Sequence, residues 1–380
     1  MAIVFTVSVL MLVYVYAGYP VFCAFFASLR SRAVRSAADT PPVTIIIAAF
    51  NEAACIESTL RNKLSLDYPA DRVEIIVVSD ASDDGTDDIV RRVAGETGRD
   101  VRLLRQEPRA GKTAALNMAA AVASGELLVF SDANSLYGPT ALRSLVEPFA
   151  DPDVGYVTGR MVYKAPDGSL TGEGCSAYMR YENVLRGLET RLGSVVGVDG
   201  GIDAVRASLY APMRPDQQPD FVLPLSIVQR ERRVVYQPRA LLYEESLSVA
   251  SDEFRMRTRV ALRAWHALKD KAMLLNPFRH GLYAWQLFSH KWLRYLAPVF
   301  QATALAANLA LVGTAPVWDA LLVLQAFFYG LALVGLLLKG RRLPPPLSFP
   351  FYLCLLNAAA GNALIRFLRG ERQVTWTPRT

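Results

Sequence analysis

Short apolar runs recur early in the chain, and each of them ends in polar side chains. Three of these runs are Val43–Ala49, Val73–Ser79 and Glu126–Ser131. They are rich in β-branched and other apolar residues, as is typical of parallel strands that are buried on both faces. A shorter run from Val101 to Leu104 predicts one further strand.

The segments between these runs have helical spacing. Ile56, Leu60 and Leu64 recur at intervals of four residues, so we expect a helix there that ends at Asp67 to Pro69. Further helices are predicted after the second run and after the run that begins at Val101. Because strand and helix patterns alternate, the sequence predicts an α/β fold with a mostly parallel sheet.

Polar side chains follow the carboxyl ends of three predicted strands. Phe50-Asn51-Glu52 follows the first strand, Asp80 follows the second, and Asp132-Ala133-Asn134 follows the third. Ligands of open parallel sheets bind outside the carboxyl ends of the strands, so we expect these side chains to share one pocket. The chain has a net charge of +6. A carboxylate-lined pocket in a basic chain indicates a divalent cation together with the phosphates that it would hold.

The acidic residues after the second strand are expected to have two different roles. Asp83 or Asp84 is expected to cap the next helix, because a carboxylate is favourable at the positive end of a helix. Asp80 stands at the strand end instead. A buried carboxylate there could accept hydrogen bonds from a base or a ribose.

A basic turn, Arg109 to Thr113, precedes the next predicted helix. Its Gly-Lys-Thr sequence is not a P-loop, because the leading glycine of that motif would fall at Gln106. Backbone N–H groups and Lys112 at a helix start could meet a phosphate. A solvated lysine is the alternative, and the turn by itself does not separate the two.

The triplet after the third strand is a candidate metal site. Alternate residues at a strand end can point the same way, so Asp132 and Asn134 could both give oxygen ligands to one divalent ion. Asp and Asn are also common in turns. The position of the triplet at a third strand end favours the metal site.

The chain also contains membrane-like segments, in keeping with a hydrophobic content of 52%. Ala2 to Leu29 carries no charge and is long enough to span a bilayer. A cleaved signal peptide is the alternative, but no basic segment precedes this stretch and no cleavage site stands out. Arg30, Arg32 and Arg35 follow, which predicts that the next domain is cytoplasmic.

Further apolar stretches occur after residue 290. Leu296 to Val312 and Trp318 to Leu338 are expected to form a membrane hairpin, and Lys339, Arg341 and Arg342 are expected to return the chain to the inside. Phe349 to Leu368 is interrupted by asparagines and followed by arginines, so it could span, re-enter or lie in the interface. We favour a span.

Composition excludes several other classes of site. The four cysteines lack a CxxC pairing and are expected to be free thiols. The three histidines show no metal-binding spacing, so a zinc site is not expected. No nucleic-acid reader motif is present.

The combination of these motifs resembles the family 2 glycosyltransferases of the membrane-bound, polysaccharide-synthase kind, which include cellulose, chitin and hyaluronan synthases. The resemblance covers nearly the whole chain. It is carried by four segments: Ala49 to Glu52, Asp80 to Thr86, Arg109 to Asn117, and Asp132 to Asn134.

The resemblance implies a cytoplasmic GT-A domain, the Rossmann-like fold of nucleotide-diphospho-sugar transferases, joined to transmembrane helices. The implied residues that bind the nucleotide sugar are Ala49, Asn51, Glu52, Asp80, Arg109, Lys112 and Asp132. Asp132 and Asn134 would hold Mg²⁺ or Mn²⁺, which neutralises the leaving nucleoside diphosphate. Asp220 would be the general base for an inverting displacement.

The resemblance also implies an acceptor region. Gly200 and Gly201 belong to a glycine-rich segment similar to the one that lines the acceptor site of the family. Processive relatives carry Gln-x-x-Arg-Trp, which binds the diphosphate and the acceptor sugar. Arg259, Arg263 and Trp265 are the nearest match, without the glutamine and with different spacing. A lipid-facing role in a basic amphipathic helix is the alternative.

Two residues depart from the family pattern. Asn134 replaces an aspartate found in many relatives, which removes a negative charge from the metal site. Pro219 replaces an acid that often precedes the base, and Asp220 remains. Without the resemblance, we would interpret Asp220 as a helix cap.

The sequence thus predicts five segments: a transmembrane helix (1–30), a GT-A domain (31–250), interface helices (251–291), a membrane region of two to three helices (292–368) and a tail (369–380). The expected protein is a multi-pass inner-membrane enzyme with a cytoplasmic catalytic domain. It would transfer sugar from a nucleotide donor, expected to be a UDP-sugar, to a growing extracellular or capsular polysaccharide.

Two alternatives are single-sugar transfer to a lipid-linked acceptor and a non-catalytic subunit that binds nucleotide sugar or glycan. A homo-oligomer or a polysaccharide-export partner would fit the hypothesis of polysaccharide synthesis. The sequence does not specify the sugar, the linkage or the acceptor.

Overall fold

The computed structural model describes residues 1–164, 173–245, 250–338 and 344–373. The chain divides into two compact units. A helical unit comprises Met1–Arg30, Thr171–Leu188 and Ser246–Arg372, and a sheet unit comprises Ser31–Leu170, Glu189–Glu245 and Gln373–Thr380.

The sheet unit is built on one mixed sheet of eight strands, in the order β3-β2-β1-β4-β7-β6-β8-β5. The strands are β1 (Val43–Ala49), β2 (Val73–Ser79), β3 (Val101–Arg105), β4 (Leu127–Asp132), β5 (Leu136–Tyr137), β6 (Val154–Lys164), β7 (Asp203–Arg206) and β8 (Arg233–Glu245). The helices of this unit are α3 (Ile56–Leu64), α4 (Thr86–Thr97), α5 (Lys112–Ala120), α6 (Ala141–Val146) and α8 (Pro219–Gln229).

The four strands predicted from the sequence form the parallel half of this sheet. β1 pairs with β2 from Val43↔Val73 to Ala49↔Ser79, and with β4 from Val43↔Leu127. Every residue of β1 and β2 is buried. Two helix-covered faces require such continuous apolar strands, so the sequence pattern located them correctly.

The other half of the sheet has mixed directions. β7 is antiparallel to both β4 and β6, whereas β8 is parallel to β6 and antiparallel to β5. The first residue of β7, Asp203, lies opposite Phe130, so the preceding glycine-rich segment comes near the carboxyl end of β4.

The helical unit contains most of α7 (Glu173–Leu192). Its other helices are α1 (Ala2–Val13), α2 (Tyr19–Leu29), α9 (Ala250–Asp270), α10 (Pro277–His280), α11 (Leu282–Leu287), α12 (Ala297–Leu309), α13 (Pro316–Leu337) and α14 (Pro345–Leu368). A π-helical turn, Tyr14–Gly18, joins α1 to α2, so Ala2–Leu29 forms one long helical segment.

Among the described residues, three helical segments are long and apolar enough to cross a membrane: Ala2–Leu29, Pro316–Leu337 and Pro346–Leu368. The third is the segment for which the sequence left three placements open. The stretch predicted as Leu296 to Val312 contains α12, whose 13 residues span about 20 Å, less than the roughly 30 Å of a bilayer core. Lys339, Arg341 and Arg342 lie outside the described residues.

Apolar packing and a few polar contacts hold the long helices together. Phe5 of α1 packs with Ala304 and Ala307 of α12, and Ser8 bonds to Thr303 at 2.8 Å. Such side-chain bonds satisfy hydroxyl groups where water is scarce.

The start of β4 gives a test of packing in the sheet unit. A Cβ atom on Gly125 would lie 2.5 Å from the backbone nitrogen of Thr44, which cannot move without disturbing β1. We expect Gly125→Ala to destabilise the protein by about 1–3 kcal/mol, because overpacking displaces a buried strand. Thermal unfolding of the purified protein would measure this.

Gly95→Ala is the matched control. Gly95 lies inside α4, and a Cβ there would meet no atom within 4 Å. Alanine is favoured over glycine in helices, so this variant should be as stable as wild type or slightly more stable. Equal stability of both variants would contradict the packing argument.

Candidate active site

The loop after β1 is bound to the loop after β2. Asn51 has a positive φ of 54°, and its side chain donates to Asp83 Oδ1 at 2.8 Å and accepts from the Asp83 N–H at 3.0 Å. The Asn51 N–H also donates to Ser82 Oγ. Asparagine tolerates this left-handed conformation better than most residues. The two strand ends are therefore fixed to each other by hydrogen bonds that use both functions of one amide.

Asp84 makes a second link between these loops. Its carboxylate accepts from the N–H groups of Ala53 and Thr86 and from the Thr86 hydroxyl. Burial raises the pKa of Asp84, but these hydrogen bonds outweigh burial and lower it. Gly85, not an aspartate, occupies the cap position of α4, so the predicted cap by Asp83 or Asp84 is wrong, although Asp84 does bind the N–H of Thr86, the first residue of α4. The Glu52 N–H joins the same link by donating to the Thr86 hydroxyl.

Asp80, at the end of β2, is fully buried and holds the basic turn. Its carboxylate accepts from the N–H groups of Ala110 and Gly111, and from the Gln106 side chain. Arg109 Nε lies 3.4 Å away. In this conformation the carboxylate supports the turn, and its predicted contact with a nucleoside stays a prediction.

Arg109 and Ala49 occupy different environments. The Arg109 guanidinium lies 3.4 Å from the ring centre of Phe50, in the loop after β1, and is about one-quarter exposed. Ala49 is fully buried, and its carbonyl accepts from the Asp80 N–H. Arg109 therefore presents a cation at the edge of the site, whereas any contact of Ala49 with a ligand stays a prediction.

Lys112 connects the basic turn to two other predicted site residues. Its Nζ lies 2.5 Å from Asp132 Oδ1 and 3.9 Å from Asp220 Oδ1. Burial alone would lower the pKa of Lys112, but Asp132 and Asp220 outweigh burial and raise it, so the ammonium stays charged. The alternative of a solvated lysine is therefore wrong for this residue. One cation joins the end of β4 to the start of α8.

Asp220 is not the helix cap that the sequence alone favoured. It lies in the first turn of α8, after Pro219, and its Oδ2 accepts from the Gln218 side chain at 3.0 Å. No hydrogen bond to a helix N–H is found for it among the described residues. About one-fifth of its side chain is exposed, so its carboxylate borders solvent.

Gly200 and Gly201 lie against these carboxylates. Both have a φ of 74°, which favours glycine. A Cβ on Gly200 would lie 2.8 Å from Asp220 Oδ2, and one on Gly201 would lie 3.4 Å from Asp132 Oδ2. The absence of a side chain at Gly200 and at Gly201 thus leaves room for the carboxylates of Asp220 and Asp132.

Asn134 does not continue strand β4 as the alternation argument assumed. β4 ends at Asp132, and Ala133 and Asn134 form a turn that closes with a bond from the Ser135 N–H to the Asp132 carbonyl. The side chain of Asn134 is partly exposed. Any shared ligand role of Asp132 and Asn134 depends on this turn.

Helix α3 holds that turn through residues that the sequence analysis missed. The Thr59 hydroxyl donates to the Ala133 carbonyl at 2.6 Å. The Asn62 side chain bonds to both the N–H and the carbonyl of Tyr137. The Tyr137 hydroxyl in turn donates to the Gly201 carbonyl.

Lys63 is the most unusual residue in the contact between α3 and the turn after β4. It is 2% exposed, donates to the Ser135 carbonyl at 2.5 Å, and lies 3.5 Å from the ring centre of Tyr137. Burial lowers its pKa, while the Asp132 charge acts in the opposite direction. Thr59, Asn62 and Lys63 are spaced i, i+3 and i+4. This polar stripe was the available signal, since such residues share one helix face.

Asp203, the first residue of β7, is a second group that the sequence analysis missed. It is fully buried, and neither carboxylate oxygen makes a hydrogen bond of normal geometry within the described residues, although Tyr156 and Thr158 lie beside it. Burial, and next the charge of Asp220, raise the pKa of Asp203 to about 8. It is therefore mostly protonated at neutral pH.

Arg259, Arg263 and Trp265 lie on α9 in the helical unit. Arg259 is partly exposed, Arg263 is 6% exposed and Trp265 is 3% exposed. The Trp265 ring stacks on Phe367, with centroids 5.7 Å apart, and contacts Trp292 and Tyr295. This packing favours a core position for Trp265. Its predicted contact with an acceptor sugar stays a prediction.

Comparison with known proteins identifies the family of one segment of the chain and the fold. The sequence model of the family described as glycosyl transferase family 2 matches residues 44–196, which include β1 to β4 and the loops described above. These residues form a family 2 glycosyltransferase domain. The domain includes the predicted site residues from Asn51 to Asn134, whereas Asp220 lies beyond the matched segment.

One solved structure is similar over nearly the whole chain. It is the mannosyltransferase PcManGT from Pyrobaculum calidifontis, in complex with GDP-Man and Mn²⁺. The TM-score is 0.74 at 25% sequence identity, and the match covers 97% of this chain and 99% of that chain. The predicted GT-A fold is thereby confirmed.

Curated relatives match over shorter segments. The chain is 28% identical to the probable glycosyltransferase YdaM of Bacillus subtilis over 258 residues, 63% of this chain and 61% of YdaM. It is 30% identical to β-monoglucosyldiacylglycerol synthase of Trichormus variabilis over 168 residues, 44% and 36% of the two chains. It is 32% identical to poly-β-1,6-N-acetyl-D-glucosamine synthase of Staphylococcus aureus over 118 residues, 31% and 28% of the two chains. The match thus spans less than two thirds of each relative.

The glycosyltransferase domain contains residues that fit a divalent metal ion bound with a diphosphate. Asp132 is about one-third exposed, and Asn134 is partly exposed in the turn beside it. No group of three or more His, Cys, Asp or Glu side chains suited to a metal occurs in the described ranges. This donor set suits Mg²⁺ or Mn²⁺, which commonly use one or two carboxylates and take other ligands from substrate phosphates.

Asp203 generates a prediction about pH. In the unfolded chain, an aspartate has a pKa of roughly 3.9. Between about pH 4 and pH 8 the folded protein therefore holds one more proton at Asp203 than the unfolded chain does. This residue therefore lowers stability as the pH rises, by about 1.4 kcal/mol per pH unit. Asp203→Asn should remove this loss of stability at higher pH. The Tm of the variant, relative to wild type, should rise progressively from about pH 5 to pH 7.5.

Asp88→Asn is the control, because Asp88 is exposed on α4. Its Tm should follow that of wild type across the same pH range. A pH-independent difference between Asp203→Asn and wild type would contradict a raised pKa for Asp203.

Proposed function

We propose that the protein is a membrane-anchored, inverting glycosyltransferase that transfers a sugar from a nucleoside-diphosphate sugar with the help of a divalent metal ion. The observation that carries this proposal is the meeting of Lys112, Asp132 and Asp220, with the Lys112 ammonium 2.5 Å and 3.9 Å from the two carboxylates. The match to a family 2 domain supports the reaction class.

The proposed diphosphate site lies at the start of α5. Lys112 is the first residue of that helix, whose nine residues begin after Gly111. Backbone N–H groups at a helix start and a charged lysine are suited to a diphosphate. Asp132 and Asn134 would hold the metal, which when bound neutralises the negative charge of the departing diphosphate.

Asp220 is the proposed general base. Its carboxylate borders solvent, and Gly200 leaves space beside it. The carboxylate would accept the proton of the acceptor hydroxyl while that oxygen attacks the anomeric carbon and the bond to the diphosphate breaks. A single displacement of this kind inverts the anomeric centre.

The proposed nucleoside site is formed by Asn51, Glu52, Asp80 and Arg109. They follow the carboxyl ends of β1 and β2, where open parallel sheets bind their ligands. GDP-mannose is the first donor to test, because PcManGT was solved with GDP-Man. UDP-sugars, the expectation from the sequence, follow.

The acceptor is proposed to be carried by a membrane lipid. Three candidate membrane segments among the described residues, and the similarity to a glucosyldiacylglycerol synthase, support this class. Trp265 supports single transfer, because its ring is packed against Phe367 rather than presented as a platform for a growing glycan. By the positive-inside bias, Arg30, Arg32 and Arg35 support a cytoplasmic glycosyltransferase domain.

Extension of a polysaccharide is the second candidate, because the chain is similar to poly-β-1,6-N-acetyl-D-glucosamine synthase over 118 residues. Product length separates the two. Purified protein in detergent would be given radiolabelled nucleotide sugars, Mn²⁺ or Mg²⁺, and extracted membrane lipids. A single sugar on lipid supports the first candidate, long polymer supports the second, and no transfer from any donor contradicts both.

Asp220→Asn tests the proposed base. We expect kcat to fall by about 10²–10⁴-fold, because the acceptor hydroxyl would lose its proton acceptor. Affinity for the donor should change little, since the proposed base contacts the acceptor. Turnover with radiolabelled donor and donor binding by calorimetry would be measured together.

Asp88→Asn serves again as the control and should retain wild-type turnover. If Asp220→Asn kept wild-type kcat, the assignment of the base would be wrong. If it lost donor affinity to the same degree as kcat, Asp220 would be a binding residue instead.

A further inference from the structure

Lys112 and a divalent ion require the same oxygen. The ammonium lies 2.5 Å from Asp132 Oδ1, in direct charge-assisted contact with that oxygen. While this ion pair persists, the Asp132 lone pair directed at Lys112 cannot bind a metal.

The charges around Asp132 favour Lys112 over a divalent ion that arrives without a diphosphate. Asn134 adds an oxygen to the metal site without a negative charge, so Asp132 is the only charged member of the predicted ligand pair. That single carboxylate is already paired with the Lys112 ammonium. A divalent ion that approaches without its own anions meets a site with little net negative charge.

A second carboxylate gives Lys112 another partner. Asp220 Oδ1 lies 3.9 Å from the ammonium, so the lysine can leave Asp132 without becoming an unpaired buried cation, which would be costly. A diphosphate at the start of α5 would supply a still more negative partner.

We propose that Lys112 competes with the divalent metal ion for Asp132, so that the metal binds tightly only together with the nucleoside diphosphate. This rests on the proposed function, since it requires the metal and the diphosphate at this site. The diphosphate draws the ammonium from Asp132 and brings its own oxygens to the metal. By linkage, the metal must increase nucleotide affinity by the same factor.

The test is Mn²⁺ binding to the purified full-length protein, followed by the electron paramagnetic resonance signal of free Mn²⁺. Titrations are made alone, with GDP and with UDP. For wild type we expect weak binding of Mn²⁺ alone and tighter binding with at least one nucleotide.

Lys112→Met removes the charge and keeps the length of the side chain. It should bind Mn²⁺ alone roughly tenfold more tightly than wild type, because the competing cation is gone. Its gain in Mn²⁺ affinity on adding nucleotide should be smaller than that of wild type. Lys112→Arg retains the charge and should bind Mn²⁺ alone as weakly as wild type. Lys269→Met, which removes an exposed lysine of α9, should match wild type in both titrations.

The outcomes separate this inference from the proposed function. Unchanged or weaker Mn²⁺ binding by Lys112→Met, in a variant with wild-type Tm, would overturn the competition. If Lys112→Met has a lowered Tm, the Lys112→Arg comparison decides: tighter binding of Mn²⁺ alone than wild type would overturn it. Asp132→Asn tests the metal site itself. If it binds Mn²⁺ with nucleotide as wild type does, the proposed metal site fails, whatever Lys112 does.

Discussion

The parallel pairing of β1 with β2 and with β4 is the constraint on which the candidate site depends. It aligns Ala49 with Ser79 and Ala48 with Asp132, so the polar loops leave the sheet at one edge. The strands are continuously apolar and buried, and a slip in register would move the polar loop residues relative to one another. The position of the chemistry is thus set by residues that take no part in it.

The polar residues at that edge are bound mainly to one another. Asp80 supports the basic turn, Asn51 joins the first two loops, and Lys112 is paired with Asp132. Most buried polar groups have partners, because an unpaired one costs roughly 1–3 kcal/mol. A nucleotide sugar would therefore exchange existing contacts for new ones. In the proposed function, such exchange would make the binding of donor and metal interdependent.

The helical unit follows the same rule for buried charge. Glu182 of α7 is paired with Arg294 and lies 3.4 Å from His290, and all three side chains are largely buried. Tyr181 also accepts from Arg294. Separating one partner from such a group would leave a buried charge, which is strongly destabilising. The aromatic packing of Trp265 and the paired charges give this unit a core of its own.

The sequence by itself determined the local elements of this protein. Apolar runs and helical spacing located β1 to β4 and α3, and the resemblance carried by several motifs identified the GT-A fold, which the family match and the solved structure confirmed. These features depend on neighbours along the chain, so periodicity and turn residues report them.

Tertiary structure alone decided which distant side chains meet. The Lys112–Asp132–Asp220 contact, the burial of Asp203 and the role of Lys63 each join residues from separate elements. Lysine and aspartate usually lie on the surface, so no local pattern marks the ones that a sheet buries. Their pKa shifts arise from desolvation and from charges across the fold, which only the packed structure brings together.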